Sequence, residues 1–156
     1  ETDKEIVGYM DGIYNRLNFE RVYFSAYQPG LGEKTLPGES FQLDPDDRLT
    51  REHRLYQVDW LLRRYRFNPN ELIYNDGGNL SLTADPKQVW AERHPEFFPV
   101  RINNADKEAL LRVPGLGPTS VEKIVAARRR SRIPRLSAIG LTGKVAAKAV
   151  PYLDFT

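Results

Sequence analysis

The chain is predicted to be mainly α-helical: a helix and one strand first, a helical middle, then paired helices at the C-terminal end. Three features predict this. Apolar residues recur at three- and four-residue spacing in successive segments. Asp, Asn or Thr, in places followed by Pro, stands where those segments open, as helix caps do. Only one run, residues 21–27, has the aromatic and β-branched density of a strand.

The elements come in this order. Thr2 and Glu5 form a capping box, and Ile6, Tyr9, Met10, Ile13, Tyr14 and Leu17 then give a helix to about Asn18. Residues 21–27 come next as a strand. One helix and one strand cannot close a core, so residues 1–49 read as a piece of a longer protein or as a unit packed on the helices after residue 50; the start on Glu1 agrees with the former. Residues 28–49, with Pro29, Gly30, Gly32, Pro37, Gly38 and Pro45, read as a long loop. Its Asp44, Asp46 and Asp47 lack the Gly and distal Glu of a calcium loop and read as a solvated turn.

The middle, residues 50–99, is helical. Thr50 caps a helix over residues 51–66 with Leu55, Val58, Leu61, Leu62 and Tyr65 as its buried stripe and Trp60 nearby. Asn68-Pro69 and Asp85-Pro86 open two more helices, separated by a turn at residues 76–79. An extended piece over residues 100–103 leads into the last segment, residues 100–156. There Asp106 caps a helix over residues 107–112, residues 113–118 make a tight turn, and Thr119 or Ser120 caps a helix to about Arg130. A weaker copy comes after it, with a short helix near residues 135–138, a turn at residues 140–143 and a helix over residues 144–150.

Composition excludes several classes. No apolar run approaches the roughly 18 residues of a membrane span, and the acidic start is unlike a signal peptide, so no membrane is expected and the expected location is cytoplasmic. With no cysteine there is no disulfide, thiolate zinc site or iron–sulfur cluster in this chain. Catalytic motifs are also missing: His53 has no HExxH partner, His94 stands at a helix end, and there is no GxSxG, Walker loop or Rossmann turn.

The net charge of +2 conceals a split. Residues 1–100 carry 12 Lys and Arg against 17 Asp and Glu, a balance of −5, whereas residues 101–156 carry 11 against 4, a balance of +7. Either the C-terminal part meets a polyanion or it presents a solvated basic face.

The turn Val113-Pro114-Gly115-Leu116-Gly117 decides how that charge is read. Two glycines allow positive φ and close approach, and the Leu116 between them can bury and pin the turn. Amides around Gly115, Gly117 and Thr119 then lie beside a helix N-terminus, whose unpaired N–H groups and partial positive charge suit a phosphate. Lys123 is one turn further on, with Arg128, Arg129, Arg130, Arg132 and Arg135 beyond it. Nothing suggests base readout: there is neither a recognition helix rich in Asn, Gln and Arg nor an aromatic ladder.

The stretch ALLRVPGLGPTSVEKIVAARR resembles the helix-hairpin-helix pattern, and with the residues around it looks like the tandem helix-hairpin-helix domain of bacterial competence DNA receptors and repair proteins. The resemblance implies sequence-independent contact with duplex DNA backbone through Val113, Pro114, Gly115, Leu116, Gly117, Thr119, Ser120 and Lys123, with Arg128, Arg129, Arg130 and Arg132 in support. It also implies, for some members, a monovalent cation on hairpin carbonyls. The second copy departs from the pattern, with Thr142 in place of the second glycine, and reads as a degenerate partner. A hairpin used only as a protein–protein or intramolecular scaffold is the alternative.

RVYFSAYQP, LTREHRLYQVDWLLRRYRF and DPKQVWAERHPEFFPVRIN ahead of the hairpin resemble the C-terminal portion of radical SAM proteins of DNA modification and repair. That resemblance implies an upstream β/α barrel in the same chain whose last helix and strand would be residues 2–18 and 22–27, with S-adenosylmethionine and a [4Fe–4S] cluster, and Tyr27 and Gln28 near the cofactor pocket. The three cluster cysteines are absent from these residues, so any such catalytic centre lies elsewhere in the parent protein.

Overall fold

The computed structural model describes residues 1–30, 32–40 and 43–156. Helix takes up 55% of the chain and strand 3%, so the mainly α expectation holds. Helix α1 (Asp3–Leu17) opens on the Thr2–Glu5 capping box and ends on Asn18 in the left-handed conformation. A one-turn helix α2 (Pro37–Ser40) interrupts the expected loop, of which residues 31, 41 and 42 lie outside the described residues.

Two expectations fail in this region. Residues 21–27 form no strand, because no strand lies beside them among the described residues. Helix side chains satisfy alternate backbone groups instead. The amides of Val22, Phe24 and Ala26 donate to the Tyr14 hydroxyl (3.0 Å), the Tyr56 hydroxyl (3.0 Å) and the Glu52 carboxylate (2.6 Å), and Tyr56 returns a hydrogen bond to the Phe24 carbonyl at 2.9 Å.

Helix α3 (Pro45–Arg64) also starts six residues before the expected one, capped by Asp44 rather than Thr50. Asp44-Pro45, with Asp46 and Asp47 in the first turn, repeats the cap-and-proline signature of positions 68–69 and 85–86, and the acids face the helix dipole. A 3-10 turn at Pro69–Glu71, helix α4 (Pro86–Arg93, capped by Asp85) and a second 3-10 turn at Pro95–Phe97 complete the middle.

Val7 and Met10 of α1 share one core with Leu55, Val58, Leu61, Phe67, Leu72, Leu80, Trp90 and Ala91, so residues 1–49 and 50–99 close together over common apolar side chains. Asp59, fully buried in this core, is ion-paired to Arg63 and accepts the Tyr14 hydroxyl. Tyr14 thus serves Asp59 and Val22 at once. Tyr14→Phe is expected to cost about 1–3 kcal/mol by leaving the buried Asp59 carboxylate and the half-buried Val22 amide each short of a partner, read as a lower urea midpoint at unchanged slope.

The second core is built from Val100 to Leu153. Helix α5 (Lys107–Arg112, capped by Asp106) packs on helix α6 (Pro118–Arg128), and a 3-10 turn at Leu136–Ile139, helix α7 (Gly143–Ala149) and a last 3-10 turn at Val150–Tyr152 follow. Parallel pairing of β1 (Val100–Arg101) with β2 (Leu153–Asp154) clamps the ends of this unit together. The two cores meet across Tyr65, Phe98 and Tyr152, which pack on both. Arg112 reaches from α5 to the first core, its guanidinium 4.0 Å from the Phe67 ring and paired to Glu71 at 3.0 Å.

Candidate nucleic-acid interface

Helix α6 starts without a side-chain cap. Its N-cap is Gly117, not Thr119 or Ser120, and no side chain accepts from its first turn. Pro118 at the first position puts Thr119 and Ser120 inside the helix, where their hydroxyls cannot play the cap's part. Val121 is the first α6 residue whose amide is met, by the Gly117 carbonyl at 2.9 Å. The amides of Gly117, Thr119 and Ser120 at the positive end of this 11-residue helix, and that of Gly115 just ahead of it, have no acceptor among the described residues.

Burial separates the sequence-predicted residues. Val113, Pro114 and Leu116 are buried and build the turn. Gly115 and Gly117 are half-buried, Thr119 is exposed and Ser120 half-buried. Gly115 has φ +85°, and a Cβ there would lie 2.6 Å from the Val145 carbonyl oxygen. Its freedom is spent on letting α7 pack against the turn, whatever else approaches. Lys123 is exposed, and its Nζ lies 3.2 Å from where a Cβ on Gly140 would stand, so its ammonium reaches over the second turn.

The arginine run divides as well. Arg128 is half-buried, and its Nη1 donates to the carbonyls of Ile102 (3.1 Å) and Ala105 (2.6 Å), tying the end of α6 to the segment before α5. Arg129 and Arg130 are exposed; Arg132, also exposed, donates to the Phe155 carbonyl at 3.1 Å. Tyr27 and Gln28 are exposed at the far end of the chain, where the Tyr27 hydroxyl donates to Glu39 at 2.8 Å.

Sequence reasoning passed over Lys87. Its ammonium donates to the Leu116 carbonyl inside the turn and sits 4.6 Å from the centre of the Tyr65 ring, with only 7% of the residue exposed. Burial pushes this amine down to about 7; Asp85 opposes the shift, while Lys148 and Arg112 add to it. Burial alone would raise the Asp85 carboxyl, but the hydrogen bonds from Lys148 and the Gln88 amide outweigh it and hold Asp85 below its usual range. One carbonyl oxygen of the turn, that of Leu116, already has a cation of the protein's own. A metal ion beside Lys87 would meet like charge, so the residues do not fit the cation that the hairpin resemblance implies. The only sequence signal was position: Lys87 stands just after the Asp85-Pro86 cap and therefore sits in the first turn of a helix.

Gly115, Leu116, Gly117 and Ser120 form one side of a cleft of about 630 Å³. Across it stand His53, Tyr56, Gln57 and Trp60, whose three- and four-residue spacing puts them on one face of α3. Lys87 and the Asp85–Lys148 pair border it between α4 and α7.

No protein-family model, curated protein or solved structure matches the chain. Among the described residues no helix is long and apolar enough to cross a membrane.

Proposed function

We propose that the chain is a nucleic-acid-binding module that holds DNA backbone phosphate, independent of sequence, on a helix-hairpin-helix turn at residues 113–118. The observation that carries this is the set of four amides without acceptors at, and just ahead of, the start of α6. The charge split supports it, since these amides belong to the segment with a balance of +7. Lys123, Arg129 and Arg130 flank the phosphate position, and the second turn at Gly140 acts as the packing partner. Arg128 and Gly115 hold the hairpins together.

We further propose that the chain is part of a radical SAM protein of DNA modification or repair, whose upstream barrel would carry S-adenosylmethionine and a [4Fe–4S] cluster. This chain has no cysteine and cannot hold a thiolate-bound cluster, so its own residues take no step through one. A three-cysteine motif in the same reading frame is what this part requires.

Duplex binding is expected to ignore sequence and to weaken with salt at a log–log slope of roughly −3 to −5, one unit per phosphate met by a cation. Thr119→Glu is the informative variant. A carboxylate in the first turn of α6 favours the helix dipole, so the fold keeps its stability. It also places negative charge where the phosphate would bind, and affinity is expected to fall about tenfold or more. Duplex affinity that is absent at low salt, or unchanged in Thr119→Glu, overturns the proposal.

A further inference from the structure

The turn amides do not face open solvent alone. Gly115, Gly117 and Ser120 line the cleft, and the opposite side is aromatic. Trp60 is 47% exposed there, a large apolar side chain left uncovered, with the guanidinium groups of Arg63 and Arg64 5.9 and 5.7 Å from its ring centre. Tyr56 is held rigid by its two hydrogen bonds to Phe24. Lys87 has three N–H donors, of which the Leu116 carbonyl takes one. The volume of about 630 Å³ falls within the range of roughly 300–1,000 Å³ usual for small-ligand sites.

These features ask for one ligand that is anionic at one end and flat and aromatic at the other. A continuous duplex satisfies only half of this, since its bases are stacked inside and cannot reach Trp60. An unpaired nucleotide satisfies both.

We propose that the cleft between α3, the Pro86 end of α4 and the turn at residues 115–117 binds a nucleoside 5′-phosphate, free or at an unpaired position of a DNA strand, with its phosphate on Lys87 and the turn amides and its base stacked on Trp60. The inference rests on the turn being a phosphate site, and it names the nucleotide that the site prefers. Stacking on an aromatic side chain tolerates any base, which agrees with a site that does not read sequence. The Asp85–Lys148 pair, bridging α4 and α7, closes one border of the cleft and keeps Lys87 away from bulk water.

The test uses the whole chain and three ligands: a duplex closed by loops at both ends through non-nucleotide linkers, an oligothymidylate strand, and thymidine 5′-monophosphate. Indole emission serves as a second readout, because Trp90 is only 5% exposed and a ligand in the cleft meets Trp60. The single strand is expected to quench that emission. Trp60→Ala, at an exposed position, is expected to lower the ratio of single-strand to closed-duplex affinity by about tenfold, and Trp60→Phe to restore most of it. Quenching by the monophosphate as well identifies a free nucleotide as an accepted source; quenching by the strand alone assigns the site to polymer. An unaltered ratio in Trp60→Ala, or emission indifferent to both ligands, overturns the inference and leaves the duplex proposal standing. Failure of all three ligands to bind overturns both.

Discussion

Gly115→Ala is expected to lower the stability of the chain by about 2–5 kcal/mol. Two costs combine. At φ +85° an L-residue pays the left-handed penalty of roughly 1–2 kcal/mol. The added Cβ then stands 2.6 Å from the Val145 carbonyl oxygen, with Lys148 Cβ at 3.2 Å and the Ala149 amide nitrogen at 3.3 Å. Two of these neighbours are backbone of α7, so relief requires α7 to shift, a strain of about 1–3 kcal/mol. Gly117→Ala is the control. Its φ is −105°, and its Cβ would meet only the Tyr65 hydroxyl, at 3.2 Å, so a loss under about 1 kcal/mol is expected. Urea denaturation of the two variants checks the contrast, and equal losses would show that α7 does not rest on Gly115. The comparison bears directly on function. A Gly115→Asp variant that fails to bind DNA fails through the fold as much as through charge at the phosphate, whereas Thr119→Glu separates the two.

Gly115 shows how far sequence can be trusted here. The pattern of two glycines around one apolar residue located the turn, and Leu116 is buried as its position demands. The partner that needs Gly115 to be small lies in α7, about thirty residues on, and no local pattern encodes that approach. Helix starts were legible at two of the three places where a cap stands beside Pro, 68–69 and 85–86; the same signal at 44–45 was hidden among turn-forming residues and loop-like acids. The strand expected at residues 21–27 failed for a different reason. Its composition suits an extended chain, but a strand needs a neighbour, and sequence cannot say whether hydroxyls from Tyr14 and Tyr56 will replace one. Arg128 illustrates the same limit: a charge run is visible, but not which of its members is turned inward to backbone carbonyls. The cleft was illegible for this reason. Its aromatic wall comes from α3 and its cation from α4, with the turn amides from a third segment, and only tertiary packing brings them to one volume.

Lys87→Met is expected to raise stability and weaken anion binding, and the pH dependence of the two effects identifies the cause. The amine of Lys87 is held at about 7 in the folded chain against an ordinary 10.5. Between those values the unfolded chain binds one more proton than the folded one, so the Lys87 contribution makes the wild type more stable as pH rises from 7 towards 10. Below pH 7 the folded chain carries a buried ammonium and bears its full desolvation cost. Methionine keeps the length of the stem and removes that cost, though it leaves the Leu116 carbonyl without its donor, a loss of about 1–3 kcal/mol. The net expectation at pH 6 is a variant more stable by on the order of a few kcal/mol, with the advantage shrinking towards pH 9. Binding runs the other way. An anion in the cleft needs the ammonium, so wild-type affinity is expected to fall by up to about tenfold per pH unit above 7. In the variant it is low and flat over the same range. The charged and titratable groups around Lys87 are Asp85 at the cap of α4, Lys148 from α7, Arg112 from α5 and the Tyr65 phenol after α3. Burial and Asp85 raise the Tyr65 phenol above its usual value, and Asp85 stays below its own, so neither titrates near neutrality; His53 also lines the cleft, and a midpoint that persists in His53→Gln belongs to Lys87. Urea midpoints and anion affinities of both proteins from pH 6 to 9 decide it. Parallel pH profiles for wild type and variant would mean that the turn holds its anion without Lys87.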